Sequence, residues 1–406
     1  MDHAQGSGKR MNGPGLSNET YGQPEQRTTR RQWLVMTALA LVAGCAVVPK
    51  GAPPPPPPTP EGPSAGILPA DQMRHRVALL VPLSGMNAPV GQSIANAANM
   101  ALLDTNASNL RITTYDTSGG PAAAATRAIA DGNKLILGPL LGDEAAAVAQ
   151  VARPAHVPII SFSNNADVAG PGTYVMGSIP GQSIARTVRF SRAHGVNRFA
   201  ALIPDGEYGE RAEAAFRRAV SDAGGAIGPV ETYARGNTSV VSAARRVKAA
   251  GGFDAVLIAD GGRIASLAAP ALKGGKAPVR ILGTELWSDD SSLLGSPALA
   301  GAWYSAVPRG RFLQFTESYK SRFGAAPYRL ATMGYDAVLL TLRVARDWRP
   351  GAVFPTGRLG DRGGFLGLDG PFRFDSDGVV QRAFEVNELR GRGVIVVSPA
   401  AAKFQD

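Results

Sequence analysis

From residue 74 onward the chain alternates short, nearly continuous apolar runs with longer segments whose apolar residues recur at helical spacing, and it does so in two successive series. Residues 76–81 are an apolar run closed by Pro82, Ser84 and Gly85, which predicts a buried strand entering a loop. Residues 91–104 place Ile94, Ala97, Ala98, Ala101 and Leu102 on one helical face. The pattern repeats as a strand over 110–115 with a helix over 121–130, Pro121 suiting its first turn, then a strand over 134–137 with a helix over 143–151, and a strand over 158–161. It restarts at 198–203. The next helix buries Tyr208, Ala212, Ala215, Phe216, Ala219 and Val220 and turns Glu210, Arg211, Glu213, Arg217 and Arg218 outward. Helices over 238–250 and 263–273 alternate with strands over 253–259 and 279–282. Strands without a polar face need cover on both sides, so the expected fold class is α/β: two parallel sheets flanked by helices, in two lobes. Beyond residue 311 the spacing is helical through Tyr319 and again over 332–347. The tail from 365 to 397 then reads as antiparallel strands around the turn at Asp375-Ser376-Asp377-Gly378.

A length of 406 residues with 44% hydrophobic content accommodates two lobes and tails. The formal charge of +10 is scattered, with no basic block interleaved with aromatics, which argues against nucleic acid and for a solvated basic surface. Cys45 is the only cysteine, so neither an internal disulfide nor a cysteine metal cluster can form. Upstream of it, Arg30 and Arg31 precede an uncharged apolar run over 33–44. That run is shorter than the roughly 20 apolar residues a spanning helix needs and fits the core of a signal peptide over residues 1–44, with an extended polar start. Val42-Ala43-Gly44-Cys45 resembles the bacterial lipobox, which implies a triply acylated Cys45 holding the mature chain to a membrane. Ala46 in place of an aspartate implies, by resemblance to lipoprotein sorting signals, the periplasmic face of the outer membrane. Residues 29–34 also resemble a twin-arginine motif, leaving that route and the general secretory one both open. The proline tract beginning at Pro53 favours extended polyproline II, so residues 45–73 read as a semi-rigid tether.

The region from about 74 to 398 resembles the type I periplasmic binding proteins, particularly the leucine/isoleucine/valine-binding branch. The resemblance is carried by Arg76-Val77-Ala78-Leu79-Leu80-Val81-Pro82-Leu83-Ser84-Gly85, Leu137-Gly138-Pro139-Leu140, Val157-Pro158-Ile159-Ile160-Ser161, Tyr208-Gly209 and Gly370-Pro371-Phe372-Arg373-Phe374-Asp375, in that order and spacing. It implies discontinuous lobes, one from 74–182 and 308–354, the other from 183–307 and 355–406, with three crossings near Pro180, Pro308 and Pro355. A small-molecule ligand would sit between them, where open parallel sheets also bind ligands by the independent strand-end rule. The strand ends offer Ser84, Gly142, Asp143, Ser163, Asn164 and Asn165 from lobe one, and Tyr208, Asp260 and Glu285 from lobe two. In amino-acid-binding relatives a hydroxyl at the third helix start and donors after the fourth strand hold the ligand carboxylate, while a lobe-two acid meets the ammonium. Here Gly142-Asp143 occupies the hydroxyl position. Asp143 reads equally as a cap on the helix dipole and as a cleft group that repels a carboxylate. Tyr208 reads equally as ligand contact and as core.

No catalytic, metal or cofactor constellation is expected. The histidines stand singly, on loops or at the surface, and the paired glycines read as turns rather than phosphate cradles. Two non-enzymatic functions remain open: capture of an amino-acid-like or amide solute for an ABC permease, or a role similar to the penicillin-binding protein activators, outer-membrane lipoproteins that regulate a peptidoglycan synthase. Mass spectrometry of the mature N-terminus is expected to show a lipid-modified Cys45, and an intact chain with an unmodified thiol there would refute the anchor.

Overall fold

The computed structural model describes residues 73–236, 238–274 and 279–404. Cys45, the apolar run before it and the proline tract lie outside these residues. The first sheet is entirely parallel, in the order β2-β1-β3-β4-β5, from β1 (His75–Val81), β2 (Leu110–Asp116), β3 (Leu135–Leu137), β4 (Ile159–Ser161) and β5 (Thr173–Val175). Between them run α1 (Ala88–Asp104), α2 (Pro121–Ala130) and α3 (Gly142–Ala152). The chain then enters α4 (Pro180–Ala193) and the second sheet, built on β6 (Arg198–Pro204), β7 (Ala226–Tyr233), β8 (Ala255–Ile258), β9 (Arg280–Gly283) and β10 (Trp303–Ala306). Its connecting helices are α5 (Glu207–Asp222), α6 (Ser239–Ala250) and α7 (Gly262–Leu272).

Strand period and burial agree residue by residue. Val77, Leu79 and Val81 enter one core while Ala78 and Leu80 enter the core on the opposite face. In the second sheet Phe199, Ala201 and Ile203 alternate in the same way with Ala200 and Leu202. Each fully buried Val, Leu or Ile side chain contributes roughly 1.5–3 kcal/mol relative to exposure, which is why both faces carry helices.

The chain returns to the first sheet's core after β10. It forms α8 (Gly310–Phe323) and α9 (Ala331–Ala345), and then a small antiparallel sheet of β11 (Phe365–Gly367), β12 (Gly370–Phe374) and β13 (Val380–Arg382). Of the last strands, β14 (Glu385–Arg390) adds antiparallel to β10 in the second sheet and β15 (Gly393–Ser398) adds antiparallel to β14.

Three sequence expectations need correction. The third crossing falls between Arg382 and Glu385, not near Pro355, because Phe354, Leu359, Phe365, Phe372, Phe374 and Val380 pack into the same core as Val77 and Met333. The change from helical to strand pattern after α9 marks a hairpin covering the first lobe rather than a change of lobe. The strands β5, β7 and β10 went unread: two have only three or four residues, and β7 holds Gly228 and Pro229, tolerated because it lies at a sheet edge. His75 is buried at the start of β1, its ring stacked on Trp348 with centroids 4.2 Å apart, rather than on a loop or the surface.

Helices α1 and α9 meet backbone to side chain at Gly334, where an added Cβ would stand 2.3 Å from the Ile94 carbonyl oxygen and 3.0 Å from its Cγ2. Gly334→Ala is therefore expected to lower the unfolding free energy by roughly 1–3 kcal/mol, read from the urea midpoint. An unchanged midpoint would contradict this packing.

Candidate functional site: the cavity between the two sheets

A cavity of about 480 Å³ lies beyond the carboxyl ends of β3, β4, β9 and β10. That volume suits a small ligand. Its wall is largely apolar, including Val90, Leu140, Phe162, Val307, Met333 and Phe384, with polar groups at few positions. Asn164, Thr332, Arg329 and Asp369 come from the first lobe, and Glu285 and Ser288 from the second.

The segment after β9 is shaped to present Glu285. At Gly283 a Cβ would lie 2.2 Å from Cδ2 of Trp287, so only glycine lets that buried indole fold against the backbone. The indole Nε1 donates to the Asp260 carbonyl oxygen at 2.8 Å. The Thr284 side chain accepts from the Leu286 amide, capping the short 3-10 helix Glu285–Trp287 and aiming its first residue at the cavity. Tyr208 donates to Glu285 Oε1 at 3.1 Å, whereas Oε2 is shielded from solvent and has no protein partner. Burial pushes the Glu285 carboxyl up to about 7, against a lesser pull downward from its hydrogen bonds. The Tyr208 hydroxyl is also held well above its ordinary range, by burial first and then by the Glu285 charge.

Arg329, just before α9, is the cationic counterpart. Its Nη1 donates to Asp369 Oδ1 at 2.6 Å and to Thr332 Oγ1 at 3.3 Å, and its Cζ sits 4.2 Å over the Phe312 ring. Its Nε is 3.4 Å from Asp289 Oδ2, an ion pair joining the first lobe to the loop after β9, and Asp289 Oδ1 also pairs with Arg309 at 3.0 Å. Arg329 Nη2 is shielded and has no protein partner. Behind Asp369, Asp336 and Arg382 are deeply buried, and burial, then the Asp369 charge, raises the Asp336 carboxyl.

Of the nine residues expected at the site, Asn164 and Glu285 line this cavity. Tyr208 stands behind Glu285 as its donor. Gly142 lies against the loop after β4, a Cβ there falling 3.4 Å from both Ser163 Oγ and Asn165 Cβ. Ser163 Oγ accepts from the Asn165 amide at 3.0 Å, and Asn165 Oδ1 accepts from the Asp167 amide at 3.0 Å, so both shape that loop. Asp143 is exposed in the first turn of α3, outside the wall, where its charge complements the helix dipole. Ser84 is exposed and donates to Asp116 Oδ2 at 3.0 Å. The Asp260 carboxylate is occupied by Tyr233 at 2.9 Å, Arg235 at 3.0 Å and the Gly261 amide at 2.8 Å. Sequence reasoning missed Arg329, Thr332 and Asp369. Arg329 is one of 42 scattered Lys and Arg residues, and its pairing with Asp369 spans 40 positions, so no local spacing marks it.

Residues 75–358 match the family described as periplasmic binding protein. Among curated proteins, an uncharacterized protein of Rickettsia prowazekii is 26% identical over 179 residues, 44% of this chain, and the match spans about half, 48%, of that protein's length. Among solved structures, a putative branched-chain amino acid ABC transporter from Rhodospirillum rubrum superposes with TM-score 0.70 at 20% identity, over 80% of this chain and all, 100%, of that one. A leucine binding protein, LivK, from Thermotoga maritima gives TM-score 0.60 at 20% identity, over 81% and 98%. A solute binding protein of an ABC transporter from Rhodopseudomonas palustris, in complex with 3,4-dihydroxybenzoic acid, gives 0.62 at 20% identity, over 82% and 97%. These likenesses establish the two-lobed type I fold, and the family match establishes kinship: the chain belongs to the periplasmic binding protein family.

Proposed function

We propose that this chain is the receptor of an ABC-type importer and captures a small amino-acid-like or amide solute in the 480 Å³ cavity, without catalysing a reaction. The observation that carries this reading is that two residues of its wall, Glu285 and Arg329, bear opposite charges and each keep a shielded atom without a protein partner, Oε2 and Nη2. Leaving a buried charged donor or acceptor without a partner costs several kcal/mol, on the order of 1–3 or more per group. A solute with an amino or amide nitrogen for Glu285 and a carboxylate or carbonyl oxygen for Arg329 satisfies both, while its side chain meets the apolar wall. Carboxylate recognition thus moves from the start of α3, expected from the resemblance, to Arg329. We further infer that Cys45 anchors the receptor by its acyl chains to the periplasmic face of a membrane. The alternative, regulation of a peptidoglycan synthase from the outer membrane, draws support from the expected outer-membrane sorting and from Gly142-Asp143 in place of a carboxylate-binding hydroxyl. Because Asp143 is exposed and outside the wall, solute capture is the better-supported reading.

Calorimetry of the purified chain against the common amino acids, their amides and benzoate is expected to give saturable binding of at least one zwitterion or amide. Arg329→Ala should weaken a carboxylate-bearing solute by about tenfold or more, as expected for loss of a charge-assisted hydrogen bond. Absence of binding to every compound, or full affinity in Arg329→Ala, would refute the assignment.

The Glu285 shift sets a pH dependence. With its carboxyl titrating at about 7 in the free cavity, pairing with an ammonium group requires the ionised form and lowers that pKa, so binding releases a proton below neutrality. Affinity for an ammonium-bearing solute should therefore fall as pH drops below about 7, by up to about tenfold per unit, and level off above it. Glu285→Gln should abolish this slope. A wild-type affinity that is flat from pH 5 to 8, on the order of the full titration range of such a group, would place the ammonium elsewhere.

A further inference from the structure

A second cavity, of about 430 Å³, shares only Phe384 with the wall described above. It lies where the chain crosses between lobes, bounded by α4 and α5 on one side and by Asp375, Gln381 and Arg382 on the other. Its lining carries Arg186, Arg189, Arg218 and Arg382 against Asp222 and Asp375, with the Arg382 charge also facing the buried Asp369 and Asp336 carboxyls. Arg189 and Arg218 are exposed and have no ion-pair or hydrogen-bond partner among the described residues. Arg382 is only 6% exposed; its Nη2 donates to the Met176 carbonyl oxygen at 2.7 Å, while Nε and Nη1 have no protein partner. Arg186 donates through Nε to the Phe384 carbonyl oxygen at 3.3 Å and through Nη2 to Ser398 Oγ at 2.5 Å, and burial and then the nearby Arg189 charge lower its pKa. Asp375 Oδ1 accepts from the Asp377 and Val379 amides, each at 3.0 Å, which holds that carboxylate in its own turn. The first turn of α4, which also lines the cavity, has neither an acidic residue nor a side-chain cap.

We propose that this cavity binds a small oxyanion of the phosphate class carrying at least two negative charges, held by Arg186, Arg189 and Arg218 at the interlobe crossing. Guanidinium groups supplied to one cavity by two helices suit an anion with oxygens in several directions, because each fork engages two oxygens. The volume admits a diphosphate or a phosphate ester as well as phosphate alone.

The test is calorimetric titration of the full-length chain with inorganic phosphate and with pyrophosphate. Saturable binding of pyrophosphate is expected, weakened by about tenfold or more in Arg189→Ala/Arg218→Ala, two exposed positions whose truncation leaves the core intact. Asp222→Asn should strengthen it. The exposed pair Arg245→Ala/Arg263→Ala, on α6 and α7, removes the same net charge outside the cavity and should leave it unchanged. No saturable binding of either anion, or equal weakening in the two double variants, would overturn the proposal, the latter by reducing it to non-specific attraction. Loss of binding in Arg329→Ala would place the anion in the cleft and overturn it equally.

Discussion

Every strand of the first sheet pairs parallel with its neighbours, and β6 to β10 of the second pair parallel with one another. A parallel pair cannot be closed by a tight turn, so each strand needs a crossover segment, and the crossovers here place helices on both faces. The faces are thereby used up by packing, and the sides of the sheets by edge strands. What remains for binding is the row of strand ends and the loops that leave them, which are free of the alternation demanded within the sheet. Both the Gly283-Thr284-Glu285 segment and the Phe162-Ser163-Asn164 segment begin within two residues of such an end. The location of the cavity is thus a consequence of strand direction, before any side chain is considered.

Its chemistry comes from charges placed where water is scarce. Taking a carboxylate or a guanidinium out of water costs several kcal/mol after relaxation, and one partner rarely offsets it. Asp369 has two polar partners, Arg329 at 2.6 Å and Thr332 at 2.9 Å, and so sits comfortably. Glu285 has the Tyr208 hydroxyl on one oxygen, with further help from a backbone amide and Ser183, and burial outweighs these so that it holds its proton to about 7. The contrast separates a structural charge from one left available. Asp260 belongs with the first kind, since both its oxygens are engaged by neighbours in the same lobe.

The same contrast explains what the sequence revealed. The two βα series, their helix faces and the antiparallel tail were legible because they depend on local period, and period is written in consecutive residues. Glu285 and Asn164 were legible because each follows an apolar run that must end at the cleft. Asp143 and Asp260 were drawn in by the same rule and misplaced, because a position near a strand end does not say whether the side chain turns to the cavity or to a neighbour's amide. Arg329 and Asp369 were not legible: they come from a segment before α9 and from the turn between β11 and β12, and only the tertiary fold brings them to the wall. The third crossing was misread for a related reason, since a hairpin that packs on its own lobe and a strand that leaves for the other share one alternating pattern.

The ion pairs around Arg329 also fix how the two lobes communicate. Within its own lobe the guanidinium is held by Asp369, whose side chain is nearly inaccessible, at 4% exposure, whereas across the cleft it meets Asp289 at the longer distance of 3.4 Å, with side chains 24% and 18% exposed. A buried, charge-assisted contact of 2.6 Å is strong, and a longer, partly hydrated one contributes about 0–1 kcal/mol. Of Arg329's two ion pairs the one with Asp289 is therefore the weaker, and the one with Asp369 holds it in its own lobe. Asp289 also pairs with Arg309 at 3.0 Å, and a solute touching both Arg329 and Glu285 would add its own differential affinity for the arrangement in which the two face one cavity. In the proposed receptor the residue that reads the solute is thus also one that ties its lobe to the loop after β9.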